Sequence, residues 1–264
     1  RLTEQERVEQ WHQYHTWPPT WQPETEGYRR LMEEREREIM DMTGTDERWE
    51  NWLQYTQSRF VRTFTTDGYE VAQVPPEVFK KLKAVVDRGI ERFDDLPEER
   101  HIDAIFYEQN LLPKFVSLGS LAQEAMADLL PLHEAWAGGI KLRGTSAYGV
   151  RLYRNGSSLA MHTDKLQTHV ISSIVHIAHE YDNASEPWPI EIENHRTGEL
   201  EAVSLEPGQM LFYESAKCLH GRMTEFKGKY YGSIFIHYTP VTKSDWPYNG
   251  LEDIINAVPP HWRD

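Results

Sequence analysis

The sequence predicts a mainly β protein with flanking helices, an α+β chain, on three observations. The hydrophobic period changes from about 3.6 residues to 2 near residue 140. Six short alternating segments then follow within about 95 residues, and turn dipeptides separate them. The segments before residue 140 carry helical spacing instead. Strands this short and numerous suggest an antiparallel barrel or sandwich with helices packed outside.

Residues 26–42 place Tyr28, Leu31, Met32, Ile39 and Met40 at helical spacing among charges. Five of the nine tryptophans (Trp11, Trp17, Trp21, Trp49 and Trp52) precede residue 60. Residues 1–60 therefore read as a helical, Trp-rich extension packed on the core through its aromatics, and 61–264 as the main domain. Residues 68–74 alternate as a strand. Pro75-Pro76 then opens a helix over 77–93, with Phe79, Leu82, Val85, Val86, Ile90 and Phe93 on one face. A second helix is expected over 118–136, kinked or ended by Pro131 and closed by Gly138-Gly139. The predicted strands are 147–153, 168–178, 189–193, 200–205, 209–213 and 230–238. Turn signals among them are Asn155-Gly156, Thr197-Gly198, Pro207-Gly208 and Lys227-Gly228.

The 264 residues carry 42 Asp+Glu and 28 Lys+Arg, a formal charge of −14. Phosphate recognition rests on Lys and Arg, so this balance argues against nucleic acid or an anionic membrane as partner. Neutral or basic partners fit better, and oligomeric state stays open. No apolar run approaches the roughly 18 residues of a membrane span. The single cysteine, Cys218, forbids an internal disulfide and a Cys-cluster zinc site. A soluble protein is expected, with an intracellular setting favoured. The start at Arg1 suggests that an upstream segment was removed, and the visible N-terminus is not a signal peptide.

Seven of the twelve histidines lie between His162 and His237. His169, His176 and His179 sit on or near one strand, where packing or hydrogen bonding is the expected role. His162-Thr163-Asp164 differs. Residues i and i+2 of an extended segment face the same way, so a ring nitrogen and a carboxylate can meet one metal. A second His from a neighbouring strand completes a 2-His-1-carboxylate facial triad, which suits non-haem Fe(II) and leaves positions open. His220 is the partner candidate. The motif is weak alone, since chance supplies roughly 0.6 copies in a chain of this composition. A second copy, His101-Ile102-Asp103, lacks strand context and reads as surface or loop.

Residues 147–240 resemble the double-stranded β-helix (jelly-roll, cupin-like) core of Fe(II)/2-oxoglutarate-dependent oxygenases, most like the prolyl 4-hydroxylase group. The matching stretches are Arg151-Leu-Tyr153, His162-Thr-Asp164, the run 205–213, Leu219-His220-Gly221 and Lys227-Gly-Lys229-Tyr-Tyr231. The resemblance implies Fe(II) held by His162, Asp164 and His220, with 2-oxoglutarate and O₂ as co-substrates. It implies hydroxylation of an unactivated C–H in a small-molecule or peptidyl substrate with release of succinate and CO₂, a prolyl residue being the family's precedent. It implies Tyr153 at 2-oxoglutarate and Lys229 on its outer carboxylate. Strand parity groups Lys229 with Tyr231, Ser233, Phe235 and His237, so Ser233 can add a hydroxyl; Arg151 is the alternative cation. Arg222 lines the mouth of the site or is exposed. Trp188 is core or substrate wall. In this family an intact Asp164 favours hydroxylation over halogenation. Other readings are an oxygenase of a small molecule, a non-catalytic β-barrel binding module, and a zinc hydrolase. The last lacks an HExxH motif, because His133-Glu134 has no second histidine at the required place.

Overall fold

A computed structural model describes residues 25–99, 105–107, 111–184 and 186–241, with Thr3 and Gln5. Trp11, Trp17, Trp21 and the His101-Ile102-Asp103 motif lie outside the described residues. Two helices come first, α1 (Glu26–Asp41) and α2 (Thr45–Phe60). The Thr25 hydroxyl caps α1 by accepting from Tyr28 N–H at 3.1 Å. Tyr28, Leu31, Met32 and Ile39 of α1 pack against Trp52 and Tyr55 of α2. Next come β1 (Tyr69–Gln73), α3 (Pro76–Ile90), β2 (Ile105–Phe106), β3 (Lys114–Val116) and α4 (Leu121–Trp136). Pro76 sits in the first turn of α3, where its missing N–H costs no bond.

Helix α4 runs through Pro131 rather than ending there. Leu129 and His133 are both fully buried and anchor the helix on either side of the exposed proline. Packing outweighs the hydrogen bond that proline removes.

The remaining strands are β4 (Leu142–Tyr153), β5 (Ser158–His162), β6 (Ile171–Tyr181), β7 (Ile190–Asn194), β8 (Glu199–Val203), β9 (Gln209–Tyr213), β10 (His220–Arg222) and β11 (Gly228–Pro240). They form two antiparallel sheets. One has six strands in the order β1-β9-β6-β11-β4-β3, the other five in the order β2-β5-β10-β7-β8. The chain passes back and forth between the sheets, as in a double-sheet jelly roll. Among the described residues the sheets do not close into a barrel. The expected β core with helices is therefore present, as two facing sheets.

Helices α3 and α4 cover the outer face of the six-stranded sheet through Leu82, Val86, Leu129, Val150, Leu152, Val175 and Ile234. Between the sheets lie two smaller apolar groups. One is Ile174, Ile190, Ile192, Leu211 and Tyr213; the other is Ile105, Tyr153, Trp188, Phe226 and Tyr231. Strand β6 is thus covered on both faces, and residues 171–178 are all buried.

His133 shows what that burial costs. Its Nδ1 meets Leu129 O at 2.8 Å, while Nε2 is buried without a partner among the described residues. Burial pushes its pKa down from 6.5 to about 4. A depressed pKa favours the neutral ring in the fold. This contribution is present above pH 6.5 and is lost as pH falls from there toward 4. Between pH 7 and 5 the group is expected to remove about 2 kcal/mol of stability. Urea unfolding of His133→Leu at the two pH values checks this. The variant should show a smaller pH dependence than the parent, and an unchanged one contradicts it.

Candidate metal centre

The short β5 and β10 are neighbours in the five-stranded sheet, with His162 and His220 in direct register. The Asn155-Gly156 turn brings the chain from β4 into β5; Gly156 takes φ +78°, which a side chain would resist. The two imidazole centroids lie 4.5 Å apart. Asp164, two residues past the end of β5, turns its carboxylate onto both rings. Its Oδ1 is 3.6 Å from His162 Nε2 and 4.0 Å from His220 Nε2. One ligand atom from each of the three lies within 4.8 Å of the others. Sequence parity alone had joined His162 to Asp164; the sheet register supplies His220.

The donor set fits a divalent ion. His162 Nδ1 meets Ala160 O at 2.8 Å, and His220 Nδ1 meets Cys218 O at 2.9 Å. Each carbonyl can only accept, so each Nδ1 carries the proton and each Nε2 presents its lone pair. Asp164 Oδ2 is buried with no hydrogen-bond partner among the described residues. A carboxylate left so in a protein interior is costly unless a cation compensates it. Burial pushes Asp164 upward, but the hydrogen bond of His162 and the charges of His220, His237 and His162 hold it well below the usual carboxylate range. Burial and the neighbouring His162 press His220 down to about 4. Burial lowers His162 too, but Asp164 outweighs it and raises the net value above 6.5. Asp164 thus favours proton binding at His162, and a metal ion at the same nitrogen competes with that proton.

A cavity of about 210 Å³ opens onto these three residues. Its walls include Ile105, Tyr148, Arg151, Tyr153, Tyr213, Arg222, Phe235 and His237. His169 also lines it, with its ring 3.7 Å from that of His237. His176 and His179 instead bond to each other at 2.8 Å, and His176 stacks on Tyr231 at 4.1 Å, as strand histidines in packing roles do.

The predicted 2-oxoglutarate contacts divide. Tyr153 is buried and lines the cavity. Ser233, the register partner of Arg151 in the sheet, is buried but bonds His176 Nδ1 at 3.2 Å and is absent from the cavity wall. Arg151 lines the cavity, yet it is held by Glu99 through two bonds of 2.7 and 2.8 Å. Lys229 is exposed, with its ammonium 5.8 Å from the Phe93 ring centroid, outside the cavity wall. The pairing of β11 with β6 is irregular between Gly228 and Tyr230, so pleat parity does not carry Lys229 into the site.

Arg222 is the cation that the expected alternatives undervalued. It is 3% exposed and reaches Trp188 O and, at 3.3 Å, the Tyr231 hydroxyl. Its guanidinium lies 4.4 Å from the Trp188 ring centroid and 4.6 Å from that of Tyr231. It has no carboxylate partner among the described residues. The signal was available: residues i and i+2 of a strand share a face, so Arg222 follows His220 inward. Trp188 is core: 3% exposed and outside the cavity wall, it packs with Tyr153, Phe226 and Tyr231 behind Arg222.

The three side chains are a 2-His-1-carboxylate facial triad, the arrangement that leaves positions open on non-haem Fe(II). No family model matches the chain, and no curated protein matches it. Solved structures do. They include a Pseudomonas putida prolyl-4-hydroxylase (14% identity, 67% of this chain and 95% of that chain, TM-score 0.47). A prolyl hydroxylase from Trichoplax adhaerens, in complex with a hypoxia inducible factor oxygen degradation domain peptide fragment, matches over 81% of this chain and 99% of its own, at 10% identity and TM-score 0.49. EctD from S. alaskensis with bound Fe matches at 16% identity, over 67% of this chain and 74% of its own, TM-score 0.46. No helix among the described residues is long and apolar enough to cross a membrane.

Proposed function

We propose that the chain is an Fe(II)- and 2-oxoglutarate-dependent dioxygenase that hydroxylates an unactivated C–H of a peptidyl or amino-acid-like substrate, a prolyl residue among them. The observation that carries this reading is the triad: two Nε2 atoms, each set by a backbone bond at the opposite ring nitrogen, and the buried Asp164 carboxylate converge on one point. Fe(II) with 2-oxoglutarate supplies oxidation there: 2-oxoglutarate and O₂ become succinate and CO₂, and one oxygen atom enters the C–H bond.

His162, Asp164 and His220 would hold the metal. Ala160 and Cys218 carbonyls keep both rings in the ligating tautomer. Arg222 replaces Lys229 as the residue that binds the outer carboxylate of 2-oxoglutarate, because it is buried, cationic and without a carboxylate of its own. Tyr153 lines the wall beside it, backed by the buried Trp188 ring, and helps exclude water. At the rim, Tyr148 is 68% exposed, and the Arg151–Glu99 pair offers one charge of each sign. That rim suits a substrate with both ammonium and carboxylate or amide groups.

Iron-dependent conversion of 2-oxoglutarate to succinate, measured with and without added Fe(II), tests the reading. Turnover that requires the ion is expected. Purified protein that holds zinc and hydrolyses substrates without 2-oxoglutarate overturns it.

A further inference from the structure

Helix α2 reaches the metal centre through two glutamines, Gln54 and Gln57, set three residues apart and so on one face. Gln57 Nε2 lies 2.8 Å from Asp164 O and 2.9 Å from Ala216 O, with Thr163 Oγ1 at 3.2 Å. Backbone carbonyls only accept, so the amide orientation is chemically required: its two N–H groups face two carbonyls. Gln54 Oε1 accepts from Thr163 N–H at 3.0 Å. Asp164 N–H donates to Ser215 O at 2.8 Å. Thr163 N–H, Asp164 N–H and Asp164 C=O are thus each held by α2 or by the 214–216 segment.

Gln57 does more than hold one loop. Ala216 lies in the turn that leads into His220. A single amide therefore ties the segment carrying Asp164 to the segment carrying the distal histidine. Neither segment is a strand at these points, so no ladder fixes them. Ser58 of α2 bonds one residue further on: its hydroxyl donates to Lys217 O at 2.8 Å, and Lys217 Nζ donates to Ser58 O and to Val61 O just past the helix.

We propose that Gln57, supported by Gln54, is a positioning residue of the metal centre: it sets the spacing between Asp164 and His220 from a helix outside the β core. This rests on the metal reading above and adds that the N-terminal helices are part of the site. A metal-ligating carboxylate is only as well placed as the backbone that carries it, and outer partners of this kind are typically worth about 10–100-fold in metal affinity.

The test titrates Co(II) into the metal-free full chain, reading both affinity and the visible d–d spectrum. Gln57→Leu keeps the volume and removes both donors. It should weaken Co(II) binding by about 10–100-fold and change the spectrum; Gln54→Met should do less, since it loses one contact. Tyr55→Phe is the control. Its hydroxyl bonds Glu36 at 3.1 Å and braces the two helices without touching the metal loops. It should lower the thermal midpoint while leaving Co(II) affinity and spectrum as in the parent. Parental affinity and spectrum in Gln57→Leu overturn the proposal and leave the metal reading standing. An equal loss of affinity in Tyr55→Phe overturns it too, because general helix docking then suffices. A parent chain with no Co(II) signal that depends on His162 overturns both.

Discussion

Asp164→Ala is expected to abolish iron-dependent succinate production and to weaken Fe(II) binding by more than the roughly 100-fold that an outer-shell change costs. Asp164 supplies the only negative charge of the triad. Its Oδ1 stands 3.6 Å and 4.0 Å from the two histidine nitrogens. Without it, two neutral imidazoles remain, and a hard divalent ion keeps few reasons to stay. Asp164→Asn separates charge from shape: it keeps the volume and one oxygen but loses the charge, so it should bind Fe(II) more weakly than the parent. Anaerobic calorimetric titration with Fe(II), alongside circular dichroism of the metal-free variants, measures the effect on correctly folded protein. Parental affinity in both variants removes Asp164 from the ligand set.

The same site shows what a sequence can and cannot display. His162 and Asp164 were legible because they sit two apart on extended chain, where pleat geometry is local. His220 was legible only as a histidine at a family spacing. Its true warrant is the register with His162, a long-range fact that no local pattern contains. Strands β2, β3 and β10 have two or three residues each, too few to show alternation. The central strand β6 was legible within 168–178, but its cover on both faces was not, because residues 171–178 are all buried. The helix over residues 77–93 was visible because one face is apolar; the structure ends it at Ile90 and turns Phe93 into a separate short 3₁₀ segment.

Gln57 illustrates the opposite limit. A glutamine on an exposed-looking helix gives no hint that its amide bridges two loops 52 residues apart, Asp164 and Ala216. Periodicity finds buried apolar faces, and polar contacts made across the fold fall outside it. The acidic balance of the chain misleads in a related way. The net charge of −14 describes the whole surface, whereas a ligand in the cavity meets the local charges there, Arg222 and Arg151 among them.

That cation decides the second large effect. Arg222→Leu is expected to raise the KM for 2-oxoglutarate by about 30-fold or more, equivalent to at least roughly 2 kcal/mol, the lower end for a truncated buried ion pair. Leucine packs acceptably between the rings of Trp188 and Tyr231, so the fold should survive. Arg222→Lys keeps the charge but not the planar fork, and should recover only part of the loss. Lys229→Ala should leave the KM within about twofold, because an exposed ammonium against Phe93 contributes little through water. Arg151→Met should act on the substrate rather than on 2-oxoglutarate, since Glu99 already occupies its guanidinium. The uncoupled conversion of 2-oxoglutarate to succinate, followed as a function of 2-oxoglutarate concentration, ranks all four. A parental KM in Arg222→Leu with a raised one in Arg151→Met moves the carboxylate to the rim. In that case the buried guanidinium between two aromatic rings is a structural cation, and the depth of the cavity belongs to the substrate.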